Sequence, residues 1–251
     1  MDRRQLIVSS AAFAAVAGTA SAQQVQAPPA PKLERIYYNP LTTAADVKDW
    51  VMEGQVGLDF DSGAMRMRNL TSADKGQEAN FVFWCPEVFP DDIEIRWNFT
   101  ALEEPGLCIL FFAARGLLPG GGDCHVLDKR LKPRAGVYDQ YTKSDVSALQ
   151  IAYFRRRWPE ERAFHLSNLR LAPGFALLAQ GADPLPDVQD ATPPYRMRLR
   201  KARSGVQFFI NDLKVVEWTA TGGHLPGQGS IGFRQMAPLV ARYSDLEVFK
   251  L

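Results

Sequence analysis

The densest concentration of chemically useful side chains lies between residues 151 and 170. It holds Tyr153, Arg155, Arg156, Arg157, Trp158, His165, Asn168 and Arg170. In an extended chain, successive side chains point to opposite faces. Tyr153, Arg155 and Arg157 would then share one face, and Phe154, Arg156 and Trp158 the other. On the next strand, His165 and Ser167 oppose Asn168 and Arg170. Both faces therefore carry arginine. A core face rarely holds several arginines, so one sheet surface here reads as a polar, concave floor. Guanidinium groups pair bidentately with carboxylates, which suits an acidic, uronate-containing glycan. The plainer alternative is surface ion pairing with Glu160 and Glu161.

β-Elimination on such a sugar needs the substrate carboxylate neutralised, so that C5 becomes acidic. Arg155, Arg170, Asn168 or Gln235 could do that. It also needs a base with a pKa near neutral and a proton donor for the leaving oxygen. His165 and Tyr153 are the available types on this strand pair and are the candidate catalytic residues. Arg155, Asn168, Arg170, Arg234 and Gln235 are the candidate substrate-binding residues, with Trp84 and Trp97 as stacking surfaces for sugar rings. For each tryptophan the plainer alternative is core packing. Glycoside hydrolysis would need two carboxyl groups, ~5–5.5 Å apart for retention or ~6.5–9.5 Å for inversion. Glu87, Asp91, Asp92, Glu94 and Asp183 are of the right type, but no Glu-x-Asp-x-x-Glu array occurs. A lyase therefore ranks above a hydrolase. A non-catalytic, lectin-like carbohydrate-binding module would use the same floor without an acid or a base, and remains the alternative.

Other chemistries find little support. There is no Walker A loop and no strand–GxGxxG–helix unit. His125, His165 and His224 are widely spaced, so a zinc site is not expected and no cofactor is implied. Structural calcium could brace the fold through Asp123, Asp128 and Asp139, although their spacing matches no standard loop. Cys108 lies in an apolar run and reads as a small core residue. A Cys85–Cys124 disulfide is possible in an oxidising compartment.

The elements that must position these residues read as strands. Residues 64–70 and 93–100 alternate apolar and polar side chains. Residues 107–114 are continuously apolar, as in a strand buried on both faces. Further strands are expected over 80–85, 148–158, 163–171, 175–180, 195–201, 206–210, 213–218, 230–236 and 241–249, with a short helix over 46–52. Residues 117–147 and 182–194 read as long loops. This pattern predicts an all-β chain, an antiparallel β-sandwich. The chain has 251 residues, 46% hydrophobic and 23% charged, which excludes a disordered chain or a coiled coil. A net charge of +1 gives no general drive toward nucleic acid.

Residues 1–22 read as an export signal: Arg3 and Arg4, an apolar stretch from Leu6 to Gly18, and the small-x-small site Ala20-Ser21-Ala22. The string Arg3-Arg4-Gln5-Leu6-Ile7 resembles a twin-arginine signal. The apolar stretch is shorter than the ~20 residues of a membrane span, so no stable membrane insertion is expected. The expected location is periplasmic or secreted. Residues 23–34 read as a disordered leader and residues 35–251 as one domain.

Four strings carry a resemblance: Trp84-Cys85-Pro86-Glu87-Val88-Phe89-Pro90-Asp91-Asp92-Ile93-Glu94, Tyr153-Phe154-Arg155-Arg156, Gly181-Ala182-Asp183-Pro184-Leu185, and Ile231-Gly232-Phe233-Arg234-Gln235-Met236-Ala237-Pro238. Together they resemble the YesU-like family of unknown function, over residues 35–251. The resemblance implies a galectin-like or concanavalin A-like jelly roll and a place in bacterial polysaccharide degradation. It brings no agreed catalytic residues, so none are carried over.

Overall fold

The computed structural model describes residues 33–222 and 225–251. The expected export signal, most of the expected leader and His224 lie outside the described residues. Sixteen strands are described: β1 (Glu34–Asn39), β2 (Val51–Glu53), β3 (Val56–Asp61), β4 (Ala64–Asn69), β5 (Phe81–Trp84), β6 (Ile93–Glu103), β7 (Leu107–Leu117), β8 (Asp123–His125), β9 (Val146–Tyr153), β10 (Leu166–Ala172), β11 (Ala176–Ala182), β12 (Tyr195–Ala202), β13 (Gly205–Ile210), β14 (Leu213–Thr219), β15 (Ser230–Met236) and β16 (Val240–Lys250). All pairings are antiparallel. The first sheet runs β14-β13-β12-β6-β16-β4-β3, with β1 added beside β16. The second runs β11-β10-β9-β7-β15-β5-β2, with β8 added beside β7. Short helices α1 (Asp139–Thr142) and α2 (Pro159–Phe164) lie in the connections on either side of β9.

The inner faces of the sheets share one aromatic core. Trp97 and Phe99 on β6 and Tyr243 on β16 come from the first sheet. They meet Tyr153 on β9 and Phe233 on β15 from the second, with ring centroids 4.9–5.9 Å apart for the closest pairs. Strict alternation on β6 places Ile93, Ile95, Trp97 and Phe99 inward and buried.

The second sheet also buries much of its outer face. On β7, Cys108, Leu110 and Phe112 face the shared core, while Leu107, Ile109 and Phe111 form a second cluster with Val126, Tyr141 and Trp84. Residues 118–145, expected as a loose loop, thus form a packed cover over half of that face. Its main tether is Glu53. This carboxylate accepts the Trp84 indole N–H at 2.9 Å and Arg134 Nη2 at 2.8 Å. The cover also needs close backbone approach. Gly136 has φ +91°, and a Cβ there would run into the Asn80 carbonyl.

Four local expectations are corrected. The helix expected over 46–52 is a single 3-10 turn, Ala44–Val47, followed by β2. The strand expected over 148–158 ends at Tyr153, because Phe154 adopts φ +47°. The strand expected from residue 163 begins at Leu166. Residues 163 and 164 complete α2, and His165 (φ +48°) terminates that helix in the left-handed conformation. The Cys85–Cys124 disulfide is not formed; Cys85, Cys108 and Cys124 are all free and buried. Burial pushes the Cys85 thiol up to about 11.

If the shared aromatic core carries the sandwich, Trp97→Ala should lower its stability by ~3–5 kcal/mol in a urea titration. A loss below ~1 kcal/mol would contradict this packing.

Candidate functional site

The outer face of the second sheet is divided in two. The cover lies over β5, β15 and part of β7, its helix α1 also packs on β9 and β10, and a groove opens beside it. Cross-strand register fixes the groove floor. Gln150 on β9 pairs with Arg170 on β10, and Ala152 pairs with Asn168. Asn168 in turn pairs with Gln180 on β11. On the other side Ala152 faces Ile109 of β7. The groove encloses about 220 Å³ and has an apolar floor from Leu107, Ile109, Ala152 and Met236. Its polar groups are Gln77, Gln150, Arg155, Glu161, Asn168 and Arg170, and its aromatic ones are Tyr138, Trp158 and Phe175. Trp158 is 42% exposed and Phe175 38%, so both present ring surface to solvent at the groove.

The electrostatics of the groove are cationic. Arg155 is neutralised: its Nη2 lies 2.8 Å from Glu161 Oε1. Arg170 is not. Its Nη1 donates to the Phe175 carbonyl at 3.1 Å, and its guanidinium lies 3.9 Å from the Phe175 ring centroid. Among the described residues no carboxylate reaches Arg170, and burial lowers its pKa, with Arg155 adding to that effect. Behind the groove wall lies Arg234, fully buried. It donates to the Gly136 carbonyl at 2.6 Å and to Gln77 Oε1 at 3.1 Å, and its guanidinium is 4.9 Å from the Tyr138 ring centroid. It too has no carboxylate partner among the described residues. Burial lowers its pKa to about 10, so it stays charged at neutral pH. A carbonyl, an amide and aromatic faces thus solvate a charge that burial would otherwise heavily penalise.

Tyr138 is the roof of this arrangement. Its hydroxyl donates to Gln150 Oε1 at 2.6 Å, and its ring meets Phe175 edge-on at 5.6 Å. Burial pushes its pKa up to about 12, against the pull of Arg234 and Arg170. Gln150 is buried, and its amide nitrogen has no acceptor.

Of the residues expected from the sequence, the structure brings Arg155, Asn168 and Arg170 together in the groove. Arg234 stands behind it. The others lie elsewhere. Tyr153 points into the shared core and is fully buried; burial raises its pKa well above that of an ordinary phenol. The turn at Phe154 breaks the alternation, so Arg155 reaches the outer face although Tyr153 faces inward. His165 turns away from the groove: its Nδ1 accepts from Arg156 at 3.0 Å, in a cluster where buried Arg156 pairs with Asp183 at 3.2 Å. The expected pairing of His165 and Tyr153 beside the arginines is therefore corrected. Gln235 alternates with Arg234 into the core, where it bonds the Met67 and Leu239 carbonyls. Trp97 is a core residue, and Trp84 lies beneath the cover against Tyr141. Neither can stack on a sugar. The carboxylates considered for hydrolysis are dispersed. Asp91 is paired with Lys201, Glu94 with Arg96 and Arg200, and Asp183 with Arg156. Only Glu161 lines the groove. Asp123, Asp128 and Asp139 are paired with Arg115, Arg130 and Lys143 respectively and do not converge. Among the described residues no three His, Cys, Asp or Glu side chains gather as metal ligands, and no helix is long and apolar enough to cross a membrane.

Sequence reasoning missed Tyr138, Gln150 and Phe175. Gln150 alone left a signal: it is the one strongly polar side chain in the run from Ala148 to Ala152. A larger hollow, about 460 Å³, contains Arg115 and Asp123, already paired with each other, and no aromatic ring. It lacks the unanswered cation that marks the groove.

The family described as "Domain of unknown function (DUF1961)" matches residues 34–248. The uncharacterized protein YesU of Bacillus subtilis (strain 168) is 48% identical over 216 residues, 85% of this chain and 94% of that protein. A crystal structure of a protein of unknown function with a galectin-like fold, from Bacillus subtilis, superimposes with a TM-score of 0.81. It is 46% identical and covers 87% of this chain and 97% of its own. The exoplasmic/lumenal domain of VIP36, solved with Ca2+ and Man3GlcNAc bound, has a TM-score of 0.55 at 14% identity, covering 88% of this chain and 91% of its own.

The unbonded Tyr153 hydroxyl gives a direct check on these placements. Tyr153→Phe should leave stability within about 1 kcal/mol of the parent in denaturant titrations, since no hydrogen bond is lost. It should also leave any ligand affinity of the groove unchanged in calorimetry. A collapse of binding would restore Tyr153 to the site.

Proposed function

The chain belongs to the DUF1961 family, the YesU-like proteins, and on that footing we propose that it is an exported carbohydrate-binding protein whose groove takes an acidic glycan. The observation that carries this reading is Arg170, a half-buried guanidinium with no carboxylate partner among the described residues, set among aromatic rings. A uronate offers both complements. Its carboxylate answers the guanidinium, and its ring C–H face packs on Trp158 or Phe175. A galectin-like fold and a sugar-bound structural neighbour support the carbohydrate part of the reading. The uncompensated charge supports the acidic part.

Between the two chemistries considered for an enzyme, the groove favours β-elimination over hydrolysis. Glu161 is the single carboxylate lining it, and Arg155 already engages it, so a pair of catalytic carboxyl groups is missing from the described lining. The lectin-like reading uses the same contacts and ends at binding. Export through the twin-arginine route rests on residues 1–22 alone. Its test is cell fractionation: Arg3→Lys with Arg4→Lys should hold the precursor in the cytoplasm, and normal processing of that variant would refute the route.

Removing the carboxylate partner should weaken binding most. A charge-assisted hydrogen bond contributes ~1.5–3 kcal/mol, so Arg170→Gln should reduce affinity for oligogalacturonate about 10–100-fold. The neutral, carboxyl-reduced oligosaccharide should bind the parent protein and the variant equally weakly. Equal calorimetric affinity of the parent for the charged and the reduced sugars would overturn the acidic-glycan reading.

A further inference from the structure

Resting on that reading of the groove, we propose that Tyr138 is the acid and base of a β-elimination in which Arg170 holds the uronate carboxylate and Gln150 positions the phenol. Three observations meet at this point. Among the described residues lining the groove, Tyr138 alone has a hydroxyl that can both take and return a proton. Phe175 ties it to the anion site: its ring touches Tyr138 edge-on at 5.6 Å and lies under the Arg170 guanidinium at 3.9 Å. Gln150 supplies the third. Its Oε1 accepts the phenol proton at 2.6 Å while its Nε2 has no acceptor.

That spare amide donor gains a use when Tyr138 changes its protonation state. A phenol donates and needs an acceptor, which Oε1 provides. A phenolate accepts and needs a donor. Rotation of the Gln150 amide by half a turn presents Nε2 to the same oxygen, so one side chain serves both states. Arg234 beneath the ring and Arg170 beside it favour the phenolate, as the direction of their effect on Tyr138 records.

The step balances without any co-reactant. Tyr138 first loses its proton to solvent. With the substrate carboxylate on Arg170, the phenolate oxygen takes the C5 proton. The C5–H electron pair becomes the C4=C5 double bond, and the bond from C4 to the glycosidic oxygen breaks. The leaving oxygen then takes the proton from Tyr138, which returns to the phenolate. No water is consumed and nothing is oxidised or reduced. Because the active form is the phenolate and burial holds the pKa high, the rate should climb about tenfold per pH unit from neutral into the alkaline range.

The test uses the protein with Tyr138→Phe, which keeps the ring against Arg234 and Phe175, and with Tyr153→Phe as a control outside the groove. Oligosaccharides from polygalacturonate, alginate and hyaluronan are the probes. Binding is read by calorimetry and unsaturated product by ultraviolet absorbance. The expected result is tight binding by all three proteins, product from the parent and the control, and a fall of about 10²–10⁴-fold with Tyr138→Phe. Binding by the parent without product, or a Tyr138→Phe rate equal to the parent's, overturns the assignment of Tyr138 and leaves the binding reading intact. A pH-independent rate across the neutral-to-alkaline range also overturns it. Failure to bind any of the three probes overturns the acidic-glycan reading and the inference together.

Discussion

A guanidinium that is fully buried and lacks a carboxylate must be solvated by something else, and much of the second sheet's outer face is arranged around that requirement at Arg234. The Gly136 carbonyl, the Gln77 amide and the rings of Tyr138 and Tyr141 supply the solvation. Those groups come from two separate connections, so the charge gathers residues 73–79 and the cover 118–145 onto one strand. Apolar packing beneath the cover then fills the space around it, with Trp84, Phe111 and Tyr141 in mutual contact. Glu53 clamps the far side through Arg134. The groove wall is therefore the edge of a packed unit.

The consequence for the groove is a local positive field in a chain of nearly balanced charge. Arg155 spends its charge on Glu161, whose carboxylate also accepts the backbone N–H of Arg157 at 3.1 Å at the start of α2. That fixes the turn after β9 and keeps one groove wall in place. Arg170 and Arg234 have no carboxylate partner among the described residues. Two cations near one small cavity with an apolar floor favour an anion through their common potential, even though only Arg170 lines it.

The strand pattern was legible because alternation and the long apolar run state which faces are buried. β6 follows it, and β7 does so as far as Phe112, where Ala113 with φ +50° shifts the register. The site was less legible because parity is lost at single residues. Phe154 with φ +47° separates Tyr153 from Arg155, and His165 with φ +48° separates itself from β10. A left-handed residue that is not glycine gives no compositional sign, so a simple alternation places Tyr153 and Arg155 on one face when they lie on two. Arg234 and Gln235, both expected as substrate-binding residues, part for the opposite reason. There the alternation is perfect, and adjacent polar residues necessarily point apart. Tyr138 was hidden because nothing in residues 117–147 reveals that they pack down on a sheet.

The position of β16 bears on how the molecule is made. It lies between β6 and β4 in the middle of the first sheet, and its far end pairs with β1, Lys250 opposite Glu34. Residues 240–250 are thus the strand that residues 64–69 and 93–103 close around. Until it is in place, β6 and β4 each lack their shared neighbour, and the inner-face aromatics of β6, Trp97 and Phe99, lack the Tyr243 side of their packing. Formation of this sheet depends on pairing between residues far apart in sequence, the kind of topology that folds slowly. A chain without β16 in place presents two unpaired strand edges, each a template for pairing with another chain.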